Sequence, residues 1–313
     1  MLLGRTANGL YWMFRYIERA ENMARLIDAG LRMALTKTSD APEEWSSVLM
    51  SAGVKIGYDS KYKEYNASLV SDFLLRDLSN PSSVMACVET ARSNARMVRT
   101  ALTREAWESV NETWMVLKST LASIIPETDL PRVLDQIKRE TAIIRGAFHG
   151  TMLRNEIFNF ARIGTFIERA DNTARILDVK YYVLLPSISY VGTTLDNFQW
   201  ESILRSVSAH RSYRWVYDVE YNPVNIADYL ILNSRMPRSL NFCYSNIVDN
   251  LKYLALDYGK RHECHDMSEG IMTRLENNEI RTIFDNGLHE FLSDLIYQTN
   301  SLSSKIAHAY NFD

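Results

Sequence analysis

The stretch Ile17-Glu18-Arg19-Ala20-Glu21-Asn22-Met23-Ala24-Arg25-Leu26-Ile27-Asp28 returns as Ile167-Glu168-Arg169-Ala170-Asp171-Asn172-Thr173-Ala174-Arg175-Ile176-Leu177-Asp178. Eight of the twelve positions are identical and three more are conservative swaps. Average residue usage gives fewer than about one match by chance. One unit is therefore written twice. On a helical wheel Tyr16, Ile17, Ala20, Met23, Ala24 and Ile27 share a broad apolar face. Glu18, Asn22 and Arg25 centre the opposite face, with Arg15 and Arg19 on one flank and Glu21 and Asp28 on the other. The second copy repeats this with Glu168, Asn172 and Arg175, bordered by Arg169, Asp171 and Asp178. Ala20, Ala24, Ala170 and Ala174 keep the apolar side small, so another helix can approach closely.

Outward from the signature the match continues with a drifting offset. Trp45, Val48 and Leu49 resemble Trp200, Ile203 and Leu204 at an offset of 155. At an offset of 156, Tyr65-Asn66 matches Tyr221-Asn222, and Phe73-Leu74-Leu75 resembles Tyr229-Leu230-Ile231. Pro81, Ser83 and Cys87 match Pro237, Ser239 and Cys243 at that same offset. Small loop insertions explain the drift. Residues 1–150 and 151–313 are read as two alpha-helical repeats packed as one globular unit, with later helices diverged. Only 12 Gly and 7 Pro occur, and 3.6-residue periodicity runs through most of the chain. The fold class expected is all-α, a helical bundle of two tandem repeats related by a pseudo-two-fold. Helices are predicted near 5–37, 43–53, 67–78, 81–101, 103–123 and 130–150. In the second half they are predicted near 154–185, 197–209, 223–233, 237–256, 268–283 and 286–311. Pro42, Pro81, Pro223 and Pro237 sit where helices could begin; Pro126, Pro131 and Pro186 fall in connections. The best strand candidate, residues 213–221, is read as an extended loop.

Hydrophobic residues make up 46% of the 313 positions and charged residues 23%, enough for a continuous core. The net charge of −3 gives no cationic excess for binding nucleic acid. Three cysteines without paired spacing point to a reducing compartment. No signal-peptide core and no run of 18 apolar residues occurs, so the expectation is a cytoplasmic protein without a membrane span.

Catalytic constellations are missing. Gly259-Lys260 lacks the glycine pattern of a phosphate loop, and no nucleophile elbow occurs. His262-Glu263-Cys264-His265-Asp266 spaces its histidines three apart, not the four of a zinc helix, and is read as a polar loop. No metal and no cofactor are expected. Cys87 and Cys243 read as small core residues. Arg92, Arg96 and Arg99 share one side of a helix, as an ion-paired stripe or, more sharply, an anion site, since the guanidinium fork suits carboxylate and phosphate.

Three readings of the signature stripe stay open. It could be a solvated face with the i,i+4 pairs Glu21–Arg25 and Asp171–Arg175. It could be a buried network in which every Glu and Arg is paired. Or it could be a ligand site built from Glu18, Arg19, Asn22, Arg25, Glu168, Arg169, Asn172 and Arg175, with Arg92 and Arg96 beside it. Asn22 and Asn172 sit mid-helix although Asn competes for backbone hydrogen bonds there, which argues for specific partners.

Gly4-Arg5-Thr6-Ala7-Asn8-Gly9-Leu10-Tyr11-Trp12, followed by residues 15–22, resembles the bacterial alpha-E domain family, named for its helices and Glu-Arg motif. Residues 80–83 and 91–99, Trp107-Glu108, and Arg154-Asn155-Glu156 leading into 166–171 look like that family too. Thr165 departs from it, since the second copy there often has Arg, as Arg15 is in the first. The resemblance implies company rather than chemistry. Members tend to be encoded beside, or fused to, circularly permuted ATP-grasp and transglutaminase-like proteins. The function expected is therefore a helical scaffold or accessory protein of a peptide- or amide-bond-forming system, acting with an ATP-grasp-type partner. The alternatives are an enzyme of amide metabolism using Glu18 or Glu168, or a non-catalytic binder of an acidic ligand.

Overall fold

In the computed structural model, residues 2–36, 42–182, 194–217 and 221–312 are described. The helices among them, in chain order, are α1 (Gly4–Thr36), α2 (Pro42–Ser51), α3 (Lys55–Asp59), α4 (Ala67–Leu75), α5 (Val84–Met97), α6 (Arg104–Thr120), α7 (Leu130–Thr151) and α8 (Glu156–Tyr182). They continue with α9 (Thr194–Ser206), α10 (His210–Val216), α11 (Pro223–Ile231), α12 (Leu240–Tyr258), α13 (Glu263–Asn277), α14 (Ile280–Asp285) and α15 (Leu288–Ala309). No strand occurs among the described residues, so the protein is all-α there.

The two signature helices form the spine. At 33 residues α1 is about 50 Å long, and it packs along α8. Helices α5 and α7 lie against α1, with α6 bridging them; α12 and α15 lie against α8, with α13 bridging those. The close approach of α1 and α8 has a steric cause. A Cβ at Gly164 would collide with the carbonyl oxygen of Tyr11. Ala20, Ala24, Ala170 and Ala174, on the apolar stripes, are all sealed in the core.

Local chemistry sets the helix starts. Asn66, Ser83, Thr103 and Ser239 each accept from the backbone N–H three residues on, and Asn222 accepts from Val224 and Asn225. Pro42 and Pro223 open α2 and α11. Pro81 and Pro237 do not open helices. They lie in tight turns, and the serines two residues later cap α5 and α12.

Other expectations also need correction. Residues 268–283 are not one helix. The chain breaks at Asn278, which is extended (φ −93°, ψ 144°) and folds its Nδ2 back to the Arg274 carbonyl at 2.7 Å. The stretch read as an extended loop at 213–221 is helical through Val216, because Tyr213 is buried and stacks on Tyr217 one turn on, with ring centroids 5.1 Å apart; residues 218–220 lie outside the described residues. The predicted ends of helices 5–37 and 154–185, and Pro186, lie outside them as well. The run 262–266 is not a loop but the first turn of α13, closed by reciprocal bonds between His262 and His265. His265 is sealed, its Nε2 3.1 Å from the Leu251 carbonyl.

Candidate functional site

Both signature stripes face inward. The side of α1 opposite its apolar stripe is covered by α8, by α7 and by the turn ahead of α12. A solvated face is thereby excluded for the carboxylates: Glu18 is 1% exposed, Glu21 0% and Glu168 5%. Their first partners are each other's arginines. Arg19 donates from Nε and Nη2 to the two oxygens of Glu168 at 2.6 and 2.9 Å. Arg169 donates from Nε and Nη2 to the two oxygens of Glu18, both at 2.9 Å. The Glu-Arg dipeptide of one signature thus grips that of the other through two bidentate forks, a geometry in which the planar guanidinium matches both carboxylate oxygens.

The cluster around Glu18 is closed. Arg238, in the turn before α12, reaches Glu18 Oε1 at 2.8 Å, Glu21 Oε1 at 2.8 Å and Asn22 Oδ1 at 3.0 Å. Arg145 of α7 pairs with Glu21 and lies 3.7 Å from Glu18. Thr141 donates to Glu21 at 3.0 Å, and Arg25 pairs with it at 2.6 Å. The outer nitrogens are used too: Arg169 Nη1 donates to the Pro237 carbonyl at 3.1 Å, and Arg25 Nη1 to Ser208 Oγ. Burial opposes ionisation of Glu18, but the guanidiniums of Arg169, Arg238 and Arg145 outweigh it and hold the carboxyl well below its ordinary range. Burial likewise opposes ionisation of Glu21, and Arg238, Arg145 and Arg25 outweigh both that and the repulsion of Glu18, bringing it down to about 2.

The cluster around Glu168 is open on one side. Its carboxylate takes Arg19 and also Arg15, whose Nε is 2.9 Å away. Arg15 is held in turn by Ser303 at 3.1 Å and by the Trp12 ring, 4.7 Å from its guanidinium carbon. Burial pushes the Glu168 carboxyl up, and Arg19 and Arg15 pull it further down, to a net lowering. Asp171 pairs with Arg175 at 2.7 Å. Thr165 turns its hydroxyl to the Ala161 carbonyl at 3.0 Å and joins neither cluster. A cavity of about 200 Å³ remains here, with Glu168 and Asp171 in its wall beside Arg19, Asn22, Gly53, Ser82, Asn172 and Arg175.

The arginines 92, 96 and 99 lie elsewhere. Arg92 bonds Asn111 at 2.8 Å and lies 3.9 Å over the Trp114 ring, Arg99 lies 5.4 Å from the Trp107 ring, and Arg96 is exposed. They do not join the signature residues. Cys87 and Cys243 are sealed, and burial pushes both thiols up to about 12. Among the described residues no three His, Cys, Asp or Glu side chains gather as metal ligands would.

Two members of the network escape sequence reasoning. Arg238 aligns with Ser82 between matched prolines and serines, so comparison of the copies hides it. Arg145 lies where the similarity between copies has faded. No charge imbalance pointed to them: α1 carries five arginines against three acids, so nothing in its sequence called for cations from elsewhere.

An all-helical protein whose two central helices exchange Glu-Arg pairs is the class that fold and site define. The chain matches, over residues 2–310, the family described as a predicted alpha-helical domain with a conserved ER motif, and it belongs to that Alpha-E family. It is similar to the uncharacterized protein Mb2597 of Mycobacterium bovis and to the uncharacterized protein Rv2567 of Mycobacterium tuberculosis, each 26% identical over 320 residues. Those alignments cover 93% of this chain and 35% of each relative, so the chain spans about a third of the length of the curated relatives it matches. No solved structure matches it.

Proposed function

We propose that this chain is a helical scaffold, an accessory protein of a bacterial peptide- or amide-bond-forming system that acts with a circularly permuted ATP-grasp protein. One observation carries the reading: the two Glu-Arg dipeptides of the signature pair with each other in holding α1 to α8. A general acid or base works best with a pKa near the operating pH. Glu18, Glu21 and Glu168 are all pulled the other way by their guanidinium partners. A thiol raised to about 12 is a poor nucleophile at neutral pH. These features favour the scaffold over an enzyme built on Glu18 or Glu168. The relatives' greater length supports a part that works beside other parts. A transglutaminase-like partner is the second expectation from the family's gene company.

On this reading the chain arose by doubling one helical unit, residues 1–150 and 151–313, with a pseudo-two-fold passing between α1 and α8. The reciprocal Arg19–Glu168 and Arg169–Glu18 pairs support that arrangement. So does a small cavity of about 30 Å³ walled by the sequence-equivalent pairs Ser47 and Ser202, Val48 and Ile203, and Ser51 and Ser206. The free, buried cysteines fit a reducing cytoplasm, and no described helix is long and apolar enough to cross a membrane. Co-purification with a circularly permuted ATP-grasp protein encoded beside it tests the proposal. Retention at micromolar concentration, with or without ATP, is the expected result; no association under either condition sinks it.

A further inference from the structure

The two clusters differ most where the copies differ in sequence outside the signature. Ser208, whose hydroxyl takes Arg25 Nη1, aligns with Gly53 at the 155 offset. Arg238, which pairs with Glu18, aligns with Ser82 at the 156 offset. Both smaller residues line the cavity beside Glu168. Ser208 and Arg238 line a separate cavity of about 530 Å³, so the two sides differ in the residues that wall their cavities, with a glycine and a serine here where a serine and an arginine stand there.

Its walls hold unused donors. Both oxygens of Glu168 and of Asp171 already accept from guanidiniums. Among the described residues no acceptor reaches Nη1 of Arg19 or Nη1 of Arg175. Asn22 is 1% exposed, lines the cavity, and its buried Nδ2 has no partner. A buried N–H without an acceptor is unfavourable and marks a place where an acceptor belongs. The charges agree: three guanidiniums, of Arg15, Arg19 and Arg175, face two carboxylates, of Glu168 and Asp171. One positive charge is left over.

We propose that the cavity beside Glu168 binds the carboxylate of a small organic molecule, of up to about amino-acid size. Arg19 Nη1 and Arg175 Nη1 donate to its oxygens, and Ser82 and Asn22 stand at the wall. A monoanion balances the single excess charge. A dianionic phosphate overshoots it in a partly desolvated site, where unbalanced charge is costly. The volume, about 200 Å³, is room for roughly six or seven waters and hence for more than a bare carboxylate. This site stands on observations separate from the partnership with an ATP-grasp protein, so failure of co-purification leaves it untouched.

The test is calorimetric titration of the full chain with acetate, N-acetyl-L-alanine and inorganic phosphate at low ionic strength. Saturable binding of the two carboxylates is expected, with phosphate weaker by about tenfold or more. Ser82→Arg copies the other side, and Ser82→Leu fills the space without charge. Both should weaken carboxylate binding by about tenfold or more while the thermal midpoint holds. Should either fail to fold, Arg175→Gln removes one donor and should give the same loss. The proposal is overturned by no saturable carboxylate binding up to about 20 mM. It is equally overturned by undiminished binding in a folded variant, or by phosphate binding as tightly as acetate.

Discussion

Glu18 and Glu168 occupy the same place in the two signatures, yet their surroundings diverge. Beside Glu18, Arg238 and Arg145 complete a cluster in which the outer nitrogens of Arg169 and Arg25 also find acceptors, while Arg145 Nη1 is buried without one. Beside Glu168, Arg15 supplies the extra cation from the same helix as Arg19, and Ser82 and Gly53 line a polar cavity where Arg238 and Ser208 line a larger one opposite. The pairing of Glu with Arg across α1 and α8 is common to both sides. What changed is the second rank of residues, at positions 53 and 208, 82 and 238, and 15 and 165. The contact between the signature helices is the same on both sides while the residues around it differ.

Acid gives the largest expected effect, because it loads all three buried carboxylates. Each is held below its unfolded value of about 4.5, Glu21 at about 2. Groups depressed in the folded state contribute stability that is fully present above the unfolded pKa and is lost as pH falls through the folded one. Stability supplied by this network should be flat from pH 7 to about 5, then fall between about 4.5 and 2. Near pH 3 Glu21 alone leaves the unfolded chain with about one more proton, a slope of about 1.4 kcal/mol per pH unit, to which the lowered Glu18 and Glu168 add. Two of the three belong to the closed side. Replacing both Glu18 and Glu21 by Gln should therefore flatten the acid limb of urea-unfolding data more than Glu168→Gln does. Equal flattening would remove the distinction between the clusters.

How much of this could be read from residues alone differs by level. The helices were legible because their starts carry Asn, Ser or Thr caps and their faces repeat at 3.6 residues. Burial of the stripe was not. A helix with one apolar and one charged face reads as a surface helix, and only the mid-helix Asn22 and Asn172 hinted otherwise. Asn22 does meet a partner, Arg238, on its oxygen. Asn172 is buried and makes no side-chain hydrogen bond among the described residues. The arginines 92, 96 and 99 shared the composition of an anion site but not the location of one. Their neighbours Trp107 and Trp114 come from α6, a packing relation that linear spacing does not reveal.

Single substitutions sharpen the contrast. Glu18→Gln leaves Arg169 without a carboxylate and leaves Arg238 and Arg145 with Glu21 alone, and removing one partner of a buried pair typically costs about 3–5 kcal/mol. Glu168→Gln strands Arg15 and Arg19, but Arg19 keeps 22% side-chain exposure at the cavity and can be met by water. Its cost should fall toward the lower end of that range or below it. Urea midpoints at unchanged m-value measure both. A greater loss for Glu168→Gln would contradict the idea that the open side tolerates unpaired cations better.

The smallest effect belongs to the pair Ser208 and Gly53. Both are left-handed, at φ 57° and 70°. For serine that conformation costs about 1–2 kcal/mol that glycine avoids. Against it stands one exposed hydrogen bond from Arg25 to Ser208, worth about 0.5–1.5 kcal/mol. The two nearly cancel, so Ser208→Gly should shift stability by less than about 1 kcal/mol. Gly53→Ser takes on the strain, while its new Cβ sits 3.6 Å from Arg175 Nη1, where a hydroxyl can offer only a solvent-facing bond. It should destabilise by about 1–2 kcal/mol and occupy part of the cavity. If instead Ser208→Gly costs more than about 2 kcal/mol, the hydroxyl is a structural member of the closed cluster. In that case the absence of its counterpart at Gly53 reflects a difference in stability between the halves, rather than room made for a ligand.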